Sequence, residues 1–450
     1  MNFLRSASKT IRLMILRVGA GWMFALLTFN FNRVTIADLG AVAVIITSLI
    51  GLHHFLSFAQ VYWGRLADRH PIFGYRRTPY ILLSSLGTSL VFLALPTLAI
   101  GLGHKDLGAT ALTFVLITFF GLIMGMNGSS CNALIAEVTT QKERGTVIAF
   151  VWATIIVSGI ISSVVAGNMM PNYDPVKMQQ LYNLTPIVVM VTAILGTLGL
   201  DRRLTAEELK AEVKLQHQEE ASPIEAFRIT KRLLAGNQHA RFFFIFVLLS
   251  VLGIFLQDAI LEPFGAEVFG MNQKATAAFQ QTWGVAALLG MFGIGFISTF
   301  VPISKKTIAM IGGFGMAGGL AVISLSGALH QASLVQAGLF LLGLGIGFFD
   351  VGVLSMMMEM TVEGQAGLYM GLWGMAQGFG NGIANALSGL LHTVLIETHL
   401  VSAQVGYTGI FAFEALVMVV AMAILRGISV QEFKGLSRSD VGHAMAFETN

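Results

Sequence analysis

A single cysteine in 450 residues, Cys131, leaves no partner for a disulfide and no thiolate cluster for a metal. It stands in an apolar run and reads as a small buried residue. Charge is nearly as scarce. Asp, Glu, Lys and Arg make up 11% of the chain, against roughly 25% in a typical soluble domain, which excludes an ordinary water-facing globule. No phosphate loop, zinc motif or Ser-His-Asp pattern stands in plausible context, which argues against an enzyme. What is abundant is apolar: hydrophobic residues reach 55% and mean hydropathy is +0.75. The chain therefore reads as an all-α polytopic membrane protein. A pI near 9.0 raises nucleic acid as a partner, but the bases cluster in loops between apolar runs. A membrane explains that clustering and a nucleic acid does not.

Windows of about 20 apolar residues predict twelve spans, near 13–31, 39–62, 80–101, 109–133, 146–167, 184–200, 241–262, 276–300, 307–327, 333–357, 366–391 and 404–425. Arg5, Lys9, Arg12 and Arg17 before the first span resemble a signal peptide. No small-residue cleavage site follows, so an uncleaved helix is expected. The predicted organisation is an N-terminal six-helix bundle (1–200), a cytoplasmic linker (201–240), a C-terminal six-helix bundle (241–425) and a cytoplasmic tail (426–450). Capping patterns at Thr205 to Glu208 and Ser222 to Glu225 suit two short surface helices in the linker; a merely solvated linker fits equally. All basic residues except Arg33, Lys105, Lys177 and Lys274 fall in loops assigned to one side, which predicts both termini in the cytoplasm.

The halves repeat. Gly121, Gly125, Glu137, Thr139 and Gly145 recur at one common offset as Gly343, Gly347, Glu359, Thr361 and Gly367, and Arg76-Arg77-Thr78 is echoed by Lys305-Lys306-Thr307. Between the second and third spans lies the densest charge cluster of the first third, Gly64-Arg-Leu-Ala-Asp68-Arg69-His-Pro-Ile-Phe-Gly-Tyr-Arg76-Arg77-Thr-Pro-Tyr-Ile81. Glycine and proline suit a tight polar loop there. This stretch resembles the loop between helices two and three of major facilitator superfamily (MFS) transporters, whose fold is two parallel six-helix halves. The resemblance implies a cytoplasmic latch with Gly64 at its start, in which Asp68 pairs with Arg69, Arg76 or Arg77. The second half lacks the Gly-x-Leu-Ala-Asp-Arg portion, so the latch is expected in one half only.

Four stretches resemble the PucC, or bacteriochlorophyll delivery, family of MFS proteins: Phe31-Asn-Arg-Val-Thr-Ile-Ala-Asp-Leu39; the His-Pro-Ile-Phe insert with Gly-Tyr-Arg-Arg-Thr-Pro-Tyr; Leu256-Gln-Asp-Ala-Ile-Leu-Glu-Pro-Phe-Gly265; and Gly371-Leu-Trp-Gly-Met-Ala-Gln377. The resemblance implies a light-harvesting assembly factor of the photosynthetic membrane, with (bacterio)chlorophyll as bound cargo. The implied partners are antenna polypeptides, pigment-synthesis enzymes such as chlorophyll synthase, and membrane lipids. It carries no ligand residues over to this chain.

Polar groups at membrane depth are functional candidates because hydrocarbon penalises them. His53 and His54 are candidates for axial ligation of a pigment magnesium, the protein holding no metal of its own. Neighbours on a helix lie about 100° apart, so at most one of the two is expected to face a given cavity; the alternative is a bond to a carbonyl of an adjacent helix. Gln377, Asn381, Asn385 and Ser388 share a helical face beside Gly374, Gly378 and Gly382, suited to pigment binding or to interhelical bonding. Asn127 and Asn132 are expected toward a central cavity by analogy. Asp258 and Glu262 fall one turn apart near the outer end of the seventh span, where ionised carboxylates can be hydrated. With Asp350 and Glu414, the most deeply placed, they are candidates to bind a coupling proton. This second expectation is a proton-coupled MFS secondary transporter of a small lipophilic solute. The 33 phenylalanines, with Trp152, Trp283 and Trp373, suit a planar pigment but equally any lipid-facing helix.

Overall fold

The computed structural model describes residues 2–56, 59–205, 238–360 and 366–428. The linker capping patterns, Thr361 and the tail beyond 428 lie outside them. Among the described residues the chain is helical, with no strand beyond an isolated bridge between Ile72 and Tyr75. Eleven helices among the described residues are long and apolar enough to cross a membrane, and a shorter apolar helix, Ala43–Phe55, completes the expected twelve.

The helices are α1 (Asn2–Ala25), continued by π-helical turns at Leu26–Phe31 and Val34–Asp38, α2 (Ala43–Phe55), α3 (Ala59–Arg69), α4 (Thr78–Gly103), α5 (Leu107–Val138), α6 (Gln141–Met169) and α7 (Pro175–Thr197). After the linker come α8 (Gln238–Phe255), α9 (Leu261–Phe269), α10 (Gln273–Phe300), α11 (Lys305–Ala328), α12 (Ser333–Met360), α13 (Ala366–His392) and α14 (Ala403–Gly427). The chain forms two compact units. One comprises Met1–Glu220 with Ala259–Gly284, the other Ala221–Asp258 with Val285–Asn450.

In the first unit α1 packs on α6 and α7, α4 packs on α5 and α7, and α2 and α3 lie against α5. In the second, α8 packs on α13 and α14, and α11 packs on α12 and α14. The same pairing occurs twice, which gives the sequence repeat a physical form. Repeated glycines take matching roles. A Cβ on Gly125 would stand 3.4 Å from the Gln60 nitrogen of the second span, and one on Gly347 would stand 2.6 Å from the Met291 nitrogen of the eighth. Where α11 crosses α12 the backbones nearly touch: a Cβ on Gly319 would meet the Leu342 nitrogen at 2.5 Å, and one on Gly345 the Met316 nitrogen at 2.5 Å. Only the missing side chain permits that approach. The first unit's apolar core gathers Trp22, Leu26, Phe31, Phe92, Phe120 and Tyr182 around α1.

Three predicted spans differ in form. The first runs on through residues read as an outer loop and stops at Asp38, where Gly40 (φ 67°) turns the chain. The second divides into α2 and α3, and α3 continues to Arg69. The seventh breaks after Phe255 into a 3-10 turn, Gln257–Ala259, and resumes as α9.

Candidate functional site

Two of the four distinctive stretches meet in the first unit. The π-helical extension of α1 shifts the side-chain register from the 3.6-residue repeat and places Asn32 and Arg33 against the chain on either side of α9. Asn32, fully buried, donates from Nδ2 to the Ala259 carbonyl just before that helix. Arg33, 4% exposed, pairs with Asp38 and donates 3.0 Å to the Met271 carbonyl just after it and 2.9 Å to Gln273 Oε1. Glu262, 1% exposed in the first turn of α9, acts electrostatically on Arg33. One cation thus faces two carboxylates in a water-poor setting, where one-sided removal of charge is costly. Asn30, Arg33, Ser162, Ser163, Glu262 and Gln273 line a cavity of about 10 Å³, room for about one water and far too small for a macrocycle. From α7 the buried Tyr182 hydroxyl lies 3.0 Å from the Leu26 carbonyl and 3.1 Å from Asn30 Oδ1, fixing the irregular segment from behind.

The charged stretch expected to form a latch pairs Asp68 with Arg77, but in a different local form. Gly64, Asp68 and Arg69 lie within α3 rather than in a loop, because its helical bonding persists to its end at Arg69. The turn itself is made at Phe73 and Gly74, both at positive φ. Arg77, 5% exposed, pairs with Asp68 and donates 2.9 and 2.7 Å bonds to Glu137 Oε1. Arg76 stands 3.4 Å from the same Glu137 oxygen. Asp201 accepts from the Arg77 and Thr78 main-chain nitrogens at 3.0 and 2.8 Å, capping α4. Burial works against the Arg77 charge, but the bonds and charges of Glu137 and Asp68 outweigh it and hold the guanidinium above its ordinary value.

His53 and His54 stand half-buried at the end of α2, their rings 3.8 Å apart, so both face one side despite their adjacency. His53 Nδ1 bonds the Ile50 carbonyl of its own helix, not a neighbouring one. A carbonyl accepts only, so Nδ1 carries the proton and Nε2 is left as the electron-pair donor. Asn127 is buried and donates to Ser84 and Ser85 at 3.0 and 3.1 Å, joining α5 to α4 rather than opening to a cavity. Asn132 accepts a 2.7 Å bond from Arg17. On α13, Asn385 donates 3.0 Å to the Asn381 carbonyl and Ser388 donates 2.9 Å to the Asn385 carbonyl, while Gln377 and Asn381 are half-buried.

The four acids divide. Asp258 and Glu262 do not share a helix turn, since the break falls between them. Both are buried, at 5% and 1%, rather than hydrated. Asp350 is exposed on the flank of α12, and Glu414 on α14 is fully buried.

The family model described as PUCC protein matches residues 30–433. The chain belongs to the PUCC family. Curated PUCC-like relatives include the bacteriochlorophyll synthase 44.5 kDa chain of Rhodobacter capsulatus, 27% identical over 93% of this chain and 94% of that one. Protein PucC of Rhodovulum sulfidophilum is 26% identical over 85% of this chain and 84% of its own length. Among solved structures, the nucleoside transporter NupG superposes with a TM-score of 0.66 at 15% identity, covering 93% and 98% of the two chains. A D-xylose-proton symporter gives 0.64 at 15% identity over 91% and 96%. At such identity the likeness establishes the fold, which is that of the MFS.

In this PUCC-family chain the sequence motifs had named Asn32, Arg33 and Asp38 as a signature without a role, and Gln273 carried no signal. Glu137 was marked only by its repeat at Glu359, and Asp201 only by opening the linker. Tyr182 and Gln257 had no partner readable in the sequence.

Proposed function

We propose that this protein is a light-harvesting assembly factor that holds a (bacterio)chlorophyll and passes it to antenna polypeptides in a photosynthetic membrane. Membership of the PUCC family carries the reading, together with a relative whose name refers to bacteriochlorophyll. His53 adds a chemical means: its ring is locked in the tautomer whose Nε2 suits the axial face of a pigment magnesium. The water-sized cavity beside Arg33 is too small for a macrocycle, so the half-buried His53–His54 face is the candidate for contact with the pigment. The protein handles pigment rather than making it, although one relative carries "synthase" in its name. Antenna helices and pigment-synthesis enzymes such as chlorophyll synthase are the partners. Both termini lie in the cytoplasm, as the distribution of basic residues favours. Purification from a phototrophic host tests this. Tetrapyrrole absorption bands and co-purifying antenna polypeptides are expected, with the bands weakened in His53→Phe; their absence from the wild type refutes the reading.

A second reading, proton-coupled transport of a small lipophilic solute, is favoured by the fully buried Glu414 in a transporter fold. It requires uptake into vesicles that follows a pH gradient and is lost in Glu414→Gln.

A further inference from the structure

The break in the seventh span leaves a polar knot within the second unit. The Gln257 main-chain nitrogen donates 2.9 Å to Glu414 Oε1 on α14, so a side chain from another helix takes a bond that an unbroken helix would keep to itself. The Gln257 side chain donates from Nε2 to Asp258 Oδ1 at 2.5 Å and to the Ile254 carbonyl at 3.2 Å. Gln257 is therefore bonded to both carboxylates, and it is 1% exposed. Two atoms of the knot have no hydrogen-bond partner: Gln257 Oε1 and Glu414 Oε2, both fully buried. Both are acceptors. Two carboxylates and an amide oxygen converge with no cation among their bonded partners, an arrangement that burial penalises unless a positive charge joins it.

Among the described residues, the helices packed against α14 supply no such charge at this level. His239 and Arg241 stand at the opposite end of α8. On α11, Lys305 and Lys306 stand at the end where Lys306 bonds the Arg426 and Ile428 carbonyls. On α13, Tyr369 lies near the start, and His392 packs on Tyr407, two turns before Glu414. The first unit offers an internal comparison. There α7, the counterpart of α14, fixes the irregular segment of α1 through Tyr182, whose hydroxyl brings its own hydrogen to the Leu26 carbonyl. The second unit places a carboxylate in that role, and a carboxylate brings no hydrogen.

We propose that Gln257, Asp258 and Glu414 form a binding site for one small monovalent cation, a proton or a sodium ion, held at the break in the seventh span. A proton on Glu414 Oε2 turns an acceptor into a donor and leaves Gln257 Oε1 as its natural partner. A sodium ion takes lone pairs from both orphaned oxygens and from Asp258. Broken membrane helices supply cation sites by this chemistry. The site is independent of the pigment reading, because none of its residues belongs to the His53–His54 face.

The test uses the purified full chain in detergent, with thermal unfolding midpoints read in NaCl, KCl and choline chloride at equal ionic strength across pH. For sodium, NaCl raises the wild-type midpoint with concentration, KCl and choline do not, and Glu414→Gln abolishes the difference. For a proton, the salts act alike, the wild-type midpoint rises as pH falls, and Glu414→Gln flattens that dependence because the amide supplies the missing N–H at every pH. Asp258→Asn is the second variant should Glu414→Gln fold poorly. The infrared carboxyl band of wild type, read on sodium addition or pH change, provides a measurement without mutation. Wild type and both variants responding identically to sodium and to pH, with no carboxyl band change, overturns the site. Pigment co-purification is scored separately, so its failure leaves this result intact.

Discussion

Replacing Arg33 by glutamine removes the cation that Asp38 and Glu262 share. Arg33 is 4% exposed and Glu262 1%, so water cannot take over the neutralising role; Asp38, at 22%, is partly relieved by solvent. Loss of one partner from a buried pair costs about 3–5 kcal/mol. The partial exposure of Asp38 places the expectation at the low end, about 3 kcal/mol, a roughly hundredfold shift in the equilibrium between closed and locally open forms at ~1.4 kcal/mol per decade. The bonds to the Met271 carbonyl and Gln273 go with it, so the opening is expected at the chain around α9. Glu262→Gln alone removes the excess negative charge and is expected to be near neutral. The double variant Arg33→Gln/Glu262→Gln is expected to recover at least half of the loss, since two neutral amides are far cheaper to bury than one uncompensated carboxylate. Proteolysis of the purified protein under conditions where opening and closing are fast reads the open population directly. Arg33→Gln as resistant as wild type, or the double variant more sensitive than Arg33→Gln, refutes the charge argument.

Arg77→Ala is expected to lower the thermal unfolding midpoint by several degrees, while Arg77→Lys, which keeps charge but loses the paired bonds to Glu137, falls between it and wild type; equal midpoints for the two would show that the geometry is irrelevant. Asp201→Ala removes the cap of α4 at Arg77 and Thr78 and should cost about 1 kcal/mol, read by the same melt. Gly345→Leu puts a side chain where a Cβ already stands 2.5 Å from the Met316 nitrogen; loss of folded protein in size-exclusion chromatography is expected, and a well-folded variant would mean that α11 and α12 can separate freely.

The twelve spans and their doubling were legible because both rest on local or periodic signals: apolar runs of membrane length and glycines at a fixed offset. The ends of the first and seventh spans were not. Asn32, Arg33 and Asp38 read as an outer loop because polar residues after an apolar run usually mean water. Asp38 pairs locally with Arg33, but the costs of Asn32 and Arg33 are met by groups 227 and 240 positions away, at Ala259 and Gln273, and nothing local reveals that. The same holds for Gln257, whose main-chain nitrogen is satisfied by Glu414, 157 positions on. Asp258 and Glu262 look like one acidic turn until the helix breaks between them, where a distant side chain, Glu414, bonds the main chain. At the latch the residue types were readable but the secondary structure was not, since Gly64 suggested a turn and instead sits within α3. The adjacency of His53 and His54 predicted divergent rings; at the C-terminal end of α2 the two rings fold together.

The repeat also explains why these irregular segments stand where they do. Each half's first helix, α1 and α8, leaves α-geometry toward its C-terminal end, and each is held there by a polar side chain from that half's last span, Tyr182 in one and Glu414 in the other. Non-helical backbone at membrane depth survives only where protein replaces the lost bonds, so the duplicated architecture fixes where such a bond must be supplied and leaves its chemistry free to differ. Tyr182 supplies a permanent, neutral hydrogen. Glu414 supplies an acceptor whose second oxygen is unsatisfied. Exchanging the two chemistries separates structure from function: Glu414→Tyr would abolish any sodium- or pH-dependent change in stability if it folds, and Tyr182→Glu, which deprives the Leu26 carbonyl of its donor, should destabilise the first unit and do so most at high pH, where the new carboxyl is ionised. Equal loss at low and high pH for Tyr182→Glu would show that the donor hydrogen is not what the first unit needs there.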